Sequence, residues 1–211
     1  MIPIIDDVPA YWISPSGQIM IKMIVMDLDG TLLNDDDENI SPYTMSILKK
    51  CKEKGIKIVI ATARSRLASE EIIDLIKPDF SILNNGLLIL NENKVVIYNK
   101  LLSLGMLDEI DDENMEYIDA EKMDAIEILS KEQNIPLSEI AAFGDSFNDI
   151  KMIKNCGTGI AMENAEHAVK RFSKDICGNN NEDGVAKWIE RNVLQTKKGR
   201  DSYSPLTRNA K

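Results

Sequence analysis

Two short acidic motifs carry the strongest chemical signal in the sequence. The first, DLDGT at residues 27–31, directly follows an apolar segment. Its carboxylates, Asp27 and Asp29, would share a face of an extended chain, and like charges this close are costly unless a cation neutralises them or one is protonated. One carboxylate could attack as a nucleophile while Mg²⁺ holds it, and the other could move a proton.

Three other interpretations of DLDGT compete with this one. A solvated acidic turn explains poorly why two carboxylates lie at the end of a buried strand. An EF-hand calcium loop places glycine at its sixth position, whereas Gly30 is fourth from Asp27. A receiver-type phospho-acceptor domain uses similar carboxylates, Thr and Lys on a parallel sheet, but does not naturally supply this motif on its first strand.

The second acidic motif is FGDSFND at residues 143–149, which also follows an apolar strand and opens a helix. Asp145 and Asp149 are four residues apart around the turn, with Asn148 between them. Side chains of this kind supply the hard oxygen ligands that Mg²⁺ takes. An aspartate that only caps the helix would account for one carboxylate, but not for both acids together with Asn148.

Two weaker signals point to an anion. Thr62, in ATAR at residues 61–64, combines a hydroxyl with the free N–H groups of a helix N-terminus, which favour an anion. Lys122 opens a later helix, and its ammonium is a suitable point charge for phosphate. Each signal is weak alone, because a Thr at a strand end is often only an N-cap and most lysines are solvated.

Regular elements must bring these motifs together. Short apolar segments predict strands, and segments of helical periodicity alternate with them. This alternation implies an α/β fold with a parallel sheet covered on both faces, in which ligands lie outside the carboxyl ends of the strands. The predicted strands are 21–26, 56–61, 80–83, 140–143 and 159–162, and the predicted helices are 42–54, 65–76, 122–133, 147–154 and 165–172.

The middle of the chain predicts a small insertion. Apolar residues 87–90 and 95–98 flank the polar turn NENK, a pattern typical of a β-hairpin, and a short helix over 101–110 and a strand over 115–118 are expected next. The predicted organisation is an N-terminal extension (1–20), a core domain (21–86 and 119–194), a reduced insertion (87–118) and a mobile basic tail (195–211).

The composition limits the classes of function. The 211 residues are 44% hydrophobic and 28% charged, which is ordinary for a globular protein and excludes a wholly disordered chain. The sequence shows no secretory signal and no apolar stretch near the roughly 18–20 residues of a membrane-spanning helix. Its three cysteines form no C-x-x-C pair. We therefore expect a cytoplasmic protein with reduced thiols. The net charge of −10 argues against nucleic acid as a partner, but a bound divalent cation would still permit a small phosphorylated substrate.

Four motifs in this order resemble those of the haloacid dehalogenase (HAD) superfamily of aspartyl-phosphate phosphatases. DLDGTLL at residues 27–33 is similar to motif I, Thr62 to motif II, Lys122 to motif III and GDSFND at residues 144–149 to motif IV. The resemblance implies a HAD-like Rossmannoid sheet over about residues 23–193. Three further segments resemble the Cof-type branch, which carries a large α/β cap of type IIB: NNG at 84–86, GIAMENA at 159–165 and NEDGVA at 181–186.

The resemblance implies a role for each acidic residue. Asp27 would attack phosphorus and form an aspartyl-phosphate. Asp29 would protonate the leaving oxygen and then activate water for hydrolysis. Mg²⁺ would be held by Asp27, the backbone carbonyl of Asp29 and Asp145, with Asp149 in or near that set of ligands.

The remaining site residues would bind the substrate. By the same resemblance, Thr62 and Lys122 would hold the phosphoryl oxygens, and Asn148 and Asn85 would lie near phosphate or substrate. The implied activity is Mg²⁺-dependent hydrolysis of small phosphorylated metabolites, such as sugar phosphates or a nucleotide like FMN.

Three features depart from the family's pattern. Ala63 stands where motif II usually has glycine, and Met123 follows Lys122 where glycine is usual. Only 35 residues separate Gly86 from Lys122, far fewer than the full cap of this branch has. Because the cap excludes water and selects the leaving group in this family, the alternative function is a weak or inactive binding or scaffold protein on the same fold.

A third hypothesis is that a second copy or a partner supplies the missing lid. Apolar hairpin residues would then form the interface of a homo-oligomer. They are equally expected to pack on the insertion's own helix. The residues concerned are Leu88, Leu90, Val96 and Ile97.

Overall fold

The computed structural model describes residues 20–35, 39–100 and 120–195, and eight strands in this part of the chain form one sheet. The strands are β1 (Met23–Met26), β2 (Lys57–Ala61), β3 (Phe80–Leu83), β4 (Leu88–Asn91), β5 (Val96–Asn99), β6 (Ile140–Gly144), β7 (Thr158–Ala161) and β8 (Asp175–Ile176). Their order is β5-β4-β3-β2-β1-β6-β7-β8, and all neighbours are parallel except the β3–β4 and β4–β5 pairs. The predicted α/β architecture is confirmed.

Helices flank this sheet, and the first five lie at the predicted places with some differences in length, whereas the sixth is not predicted. They are α1 (Pro42–Glu53), α2 (Glu70–Ile76), α3 (Lys122–Glu132), α4 (Ile150–Asn155), α5 (His167–Phe172) and α6 (Gly184–Ile189). Ser41 caps α1 by accepting the N–H of Thr44. The predicted helix over 65–76 begins only at Glu70, because residues 65–69 form hydrogen-bonded turns first.

Burial of the central strands explains their composition. Every residue of β1 and β6 is buried, so these strands are continuous apolar runs rather than alternating ones. The core extends to α6, where the ring of Trp188 meets that of Phe143 edge-on with centroids 5.3 Å apart. The central strands are therefore a rigid base for whatever follows their carboxyl ends.

The hairpin β4–β5 continues the core sheet. Residues of β4 pair with β3 in antiparallel register from Leu83 with Leu88 to Phe80 with Asn91. We therefore propose that the hairpin belongs to the core and that the reduced insertion begins after Lys100. The boundaries of the predicted insertion stay a prediction, because residues 101–119 lie outside the described part, as do the helix and strand predicted there.

The apolar stripe predicted on the hairpin is only partly available as an interface. Leu90 is 1% exposed and belongs to the core, so its predicted place in an exposed stripe is wrong. Leu88 and Ile97 are half-buried against the core, and Val96 is exposed. The predicted homo-oligomer stays a prediction.

Two other features concern the whole described chain. None of its helices combines the length and apolar character that crossing a membrane demands. The thiols of Cys51, Cys156 and Cys177 are free and buried, and burial raises their pKa values to about 11, 12 and 12. Their predicted reduced state fits this burial, because a thiol with so high a pKa is a poor nucleophile.

Candidate active site

Three strands deliver the predicted site residues to one edge of the sheet. Asp27 follows β1, Thr62 follows β2 and Asp145 follows β6, and β1 pairs in parallel with both of the other strands. The backbone N–H of Asp27 donates to the carbonyl of Phe143 at 3.1 Å, so β1 and β6 stay paired up to the site. Topology thus explains why motifs more than a hundred residues apart meet.

A compact acidic cluster with one buried cation forms the centre of the site. Carboxylate oxygens of Asp27, Asp145 and Asp149 lie within 4.8 Å of one another. The Lys122 Nζ lies 2.8 Å from Asp27 Oδ1 and 2.8 Å from Asp149 Oδ1, and its side chain is fully buried. One ammonium does not neutralise three carboxylates, so the charge and the oxygen donors suit a divalent cation such as Mg²⁺.

Within the cluster, both carboxylate oxygens of Asp149 bind neighbouring groups of the protein. Its Oδ2 accepts the backbone N–H groups of Asp145 at 3.0 Å and Ser146 at 3.1 Å, while Oδ1 holds Lys122. Because both of its oxygens already hold neighbours, Asp149 is suited to fixing the loop of motif IV beside a cation. Asp145 receives a bond from Thr31 Oγ1 at 2.7 Å, which connects this loop to motif I.

Gly30 makes the approach of these two motifs possible. Its φ is +66°, a left-handed conformation that favours glycine, and a Cβ at this position would lie 2.5 Å from Asp145 Oδ2. Any larger residue would therefore push the Asp145 carboxylate away from the cluster.

Burial and mutual charge shift the protonation of the cluster. Burial raises the pKa of Asp27 to about 7, although the Lys122 charge opposes this rise. Burial also raises the pKa of Asp145 to about 6, against the hydrogen bond from Thr31. Burial alone would disfavour the Lys122 ammonium, but the carboxylates of Asp27 and Asp149 outweigh it and raise the Lys122 pKa. Binding of a cation would displace the protons of these carboxyls into solvent.

Asp29 is not one of the carboxylates of this cluster, and it binds an arginine. The Nε of Arg64 lies 3.1 Å from Asp29 Oδ1 and 2.9 Å from Oδ2, and Nη2 also contacts Oδ1. Arg64 lies in the ATAR motif at residues 61–64, in which the sequence predicts a role for Thr62 alone. In the sequence, its position two residues after Thr62 is what places Arg64 near the site. Hydrophobic periodicity predicts which residues are buried, but not which side chains pair.

The NNG segment fixes the loop that carries Thr62 and Arg64. Asn84 donates its N–H to the carbonyl of Arg64, and Asn85 donates to that of Thr62, both at 3.0 Å. Both asparagines have left-handed φ values, 50° and 54°, which this residue type tolerates. Thr62 is fully buried, and its Oγ1 accepts the N–H of Arg64 at 3.1 Å.

The two predicted substrate-binding amides contact each other. Asn148 Nδ2 donates to Asn85 Oδ1 at 2.9 Å, and Ser146 Oγ donates to Asn148 Oδ1 at 2.6 Å. Asn148 is exposed and Asn85 is half-buried, so the pair bridges motif IV and the NNG segment at the surface of the site.

The family model for haloacid dehalogenase-like hydrolases matches this chain in two parts, residues 24–117 and 116–189. The chain belongs to this family. It is 27% identical to the 5-amino-6-(5-phospho-D-ribitylamino)uracil phosphatase YcsE of Bacillus subtilis, over 82% of this chain and 96% of that protein. A stretch of 71 residues is 45% identical to the phosphatase YwpJ of the same organism, which covers 34% of this chain and 25% of YwpJ.

Solved structures show that the fold is shared as well. A phosphatase of the same superfamily from Bacteroides thetaiotaomicron superposes with a TM-score of 0.70 at 23% identity, over 85% of this chain and 97% of that one. The predicted HAD-like fold, the Cof-type HAD family and the assignment to its phosphatases are confirmed. The residue roles and the metal stay predictions.

The alignment with YcsE also bears on the insertion. It is 241 positions long, yet it spans only 82% of a 211-residue chain, so several tens of positions of YcsE face gaps here. The break in the family match falls at residues 116–117, shortly before Lys122. Both observations support a HAD chain in which the inserted segment is reduced.

Proposed function

We propose that this chain is a Mg²⁺-dependent phosphatase that hydrolyses small phosphorylated metabolites through an aspartyl-phosphate on Asp27. The observation that carries the proposal is the cluster of Asp27, Asp145 and Asp149 around the buried Lys122. A cluster that served only stability would be an unusual choice, because burying several like charges is costly.

The donor set fits the implied metal. Asp27 and Asp145 would hold Mg²⁺ together with the backbone carbonyl of Asp29, and Asp149 would support them by fixing the loop of motif IV. When bound, the ion would supply positive charge that offsets these carboxylates and the phosphoryl oxygens.

The chain's own residues then perform two transfers. In the first, a carboxylate oxygen of Asp27 bonds to phosphorus while the ester P–O bond breaks, and Asp29 gives its proton to the leaving oxygen. In the second, a water oxygen bonds to phosphorus while the Asp27–phosphorus bond breaks, and Asp29 takes the water's proton. The sum is ester plus water giving alcohol plus inorganic phosphate, with Asp27 and Asp29 restored.

Lys122 and Thr62 complete this scheme. The Lys122 ammonium lies 2.8 Å from an Asp27 oxygen and would offset charge on the phosphoryl group once it is bonded there. Thr62 lies at the end of the adjacent strand and would hold another phosphoryl oxygen. Asn85 and Asn148, which bridge two loops at the surface of the site, would contact the substrate.

The substrate class follows from the relatives only in outline. YcsE is named for a phosphorylated ribityl-uracil, and another solved HAD protein is described as a sugar phosphatase. For this chain we propose a small phosphorylated metabolite of the sugar-phosphate or nucleotide type, such as FMN.

The experiment is a phosphatase assay on the full chain. With p-nitrophenyl phosphate and a panel of metabolite phosphates, turnover should need Mg²⁺ and should fall by at least about a thousandfold in Asp27→Asn, because an amide cannot form the acyl-phosphate. Asp74→Asn is the matched control, because Asp74 is exposed and its carboxylate pairs with Lys94. Turnover that survives EDTA, or that Asp27→Asn leaves intact, would contradict the proposal.

One observation favours the alternative function. The short separation of Gly86 from Lys122 leaves little chain to cover the site, so a protein that binds phosphate esters without turning them over is the second candidate. If this second candidate is right, the chain unfolds cooperatively and Mg²⁺ raises its melting temperature, but no phosphate ester of the panel is hydrolysed.

A further inference from the structure

The ion pair between Arg64 and Asp29 has a geometry that an ordinary surface pair lacks. The guanidinium uses two of its nitrogens on one carboxylate, with Nε at 3.1 Å and 2.9 Å from the two oxygens and Nη2 on Oδ1. Such bidentate contact fixes the plane of the carboxylate as well as its distance.

Arg64 is the better-fixed member of this pair. Its side chain is 20% exposed, whereas that of Asp29 is 55% exposed. The backbone of Arg64 is held on both sides, since its N–H donates to Thr62 Oγ1 and its carbonyl accepts from Asn84. The arginine can therefore act as a fixed support against which the more exposed acid is oriented.

The contacts are also unequal between the two oxygens of Asp29. Arg64 makes two contacts to Oδ1 and one to Oδ2. Oδ2 therefore has fewer contacts with Arg64 than Oδ1 has, and it is the oxygen that this geometry leaves more available to a substrate.

We propose that Arg64 is a positioning residue that presents Asp29 Oδ2 to the leaving oxygen of the substrate. The inference rests on the proposed phosphatase function. In the first transfer Oδ2 loses its proton to the ester oxygen as the P–O bond breaks, and in the second it receives a proton from the attacking water. In this role Arg64 would act through Asp29 and not by contact with the phosphorus or the leaving group.

This role predicts a dependence on the leaving group. Phenyl phosphate and p-nitrophenyl phosphate have nearly the same shape, but phenol is a much weaker acid and needs protonation as it leaves, whereas p-nitrophenol does not. The ratio kcat/KM reports the steps up to the first transfer, so a misplaced acid should lower it mainly for phenyl phosphate.

The experiment measures kcat/KM for both substrates, with Mg²⁺, in the wild type and in Arg64→Gln, Arg64→Lys and Asp29→Asn. We expect Arg64→Gln to lose about tenfold or more on phenyl phosphate and less than about threefold on p-nitrophenyl phosphate. Asp29→Asn should show the same split more strongly, and Arg64→Lys should fall between, because an ammonium cannot reproduce the fork. Arg66→Gln is the matched control, since Arg66 contacts the backbone of Lys94 in the hairpin turn.

The possible outcomes distinguish a failure of the positioning role from a failure of the proposed phosphatase function. A wild type without Mg²⁺-dependent turnover of either substrate would contradict the proposed phosphatase. An active wild type whose Arg64 variants lose kcat/KM equally on both substrates would contradict the positioning role alone, because equal loss means that Arg64 contacts the phosphoryl group or only supports the fold. Thermal melts of each variant identify those that fail to fold, and Arg64→Lys retains the charge if Arg64→Gln does fail.

Discussion

At the scale of single residues, Lys122 is a buried cation between two carboxylates. Its fully buried ammonium lies 2.8 Å from two carboxylates, Asp27 and Asp149. Lys122→Met should lower the free energy of unfolding by about 3–5 kcal/mol in metal-free protein, because it leaves both carboxylates buried without their cation. Urea titrations measure this loss.

A matched substitution distinguishes this effect from the loss of any lysine. Lys151 pairs with Glu121, but its side chain is 61% exposed. Lys151→Met should cost at most about 1 kcal/mol, as exposed ion pairs do. If the two variants lose similar stability, the buried cluster does not hold the charges that we assign to it.

The raised pKa values of Asp27, about 7, and Asp145, about 6, predict a pH-dependent response to Mg²⁺. At pH 5 both carboxyls are mostly protonated and a cation must displace their protons, whereas at pH 8 both are ionised. The rise in melting temperature caused by millimolar Mg²⁺ should therefore be larger at pH 8 than at pH 5. Thermal melts with and without Mg²⁺ measure it, and equal shifts at the two pH values would contradict the prediction.

The metal-free protein should show the opposite trend in this pH range. Both folded-state pKa values lie above the ordinary carboxyl value, near 3.8, so the folded chain binds more protons than the unfolded chain between about pH 4 and 7. These two groups therefore favour folding less and less as the pH rises through that window. Asp145→Asn should flatten both trends.

The sequence predicts the acidic residues of the site better than their partners. Asp27, Asp145, Asp149 and Lys122 can be found because they follow strands or open helices, and parallel strands end at the same edge. The Arg64–Asp29 pair connects residues 35 positions apart through side chains alone. No pattern of hydrophobic periodicity encodes such a contact, which depends on the final packing of two loops.

At the scale of elements, buried strands and capped helices are predictable, whereas short exposed ones are not. β1 and β6 are apolar throughout, and α1 begins at Pro42, directly after its capping residue Ser41, so local chemistry agrees with the fold. β8 has two residues, both exposed, and therefore has no apolar signal. α6 begins at Gly184, a poor helix former, and its position depends on packing against the rest of the core.

Two asparagines, Asn164 and Asn180, hold the loop after β1 by hydrogen bonds. Asn180 is 2% exposed, and its Nδ2 donates to the carbonyl of Leu33 at 2.9 Å and to Asp35 Oδ1 at 2.7 Å. Its backbone N–H donates to Asn164, whose amide in turn donates to the carbonyl of Gly30 at 2.7 Å. This chain of bonds extends from β7 and α6 to motif I.

Asn180→Ala tests that connection. It should lower the free energy of unfolding by about 1–3 kcal/mol, because it leaves the buried Leu33 carbonyl without its donor and removes a bond to a charged group. Asn181→Ala is the control, since Asn181 bonds the same Asp35 from an exposed position and should cost less than about 1 kcal/mol. Chemical denaturation of both variants measures the difference, and equal losses would show that burial of Asn180 is immaterial.

At the scale of the whole molecule, the two ends of the segment 101–119 start from neighbouring points of the core. The N–H of Lys100 donates to the carbonyl of Leu87 at 2.8 Å, and a Cβ on Gly86 would lie 2.3 Å from the carbonyl oxygen of Glu121. The chain therefore leaves the sheet and returns to α3 beside the same turn. A short connection could join these points without moving any described strand.

Replacing residues 101–119 by about six Gly and Ser residues, which span at most roughly 20 Å, should leave the core folded. We expect one cooperative unfolding transition and a retained Mg²⁺-dependent thermal shift, because the residues of the acidic cluster all lie outside the replaced segment. If residues 101–119 discriminate between leaving groups, selectivity should fall in this variant. The kcat/KM values for the members of the metabolite panel should then become more alike. A variant that does not fold would show that the segment completes the core, and one with unchanged selectivity would show that the core alone chooses the substrate.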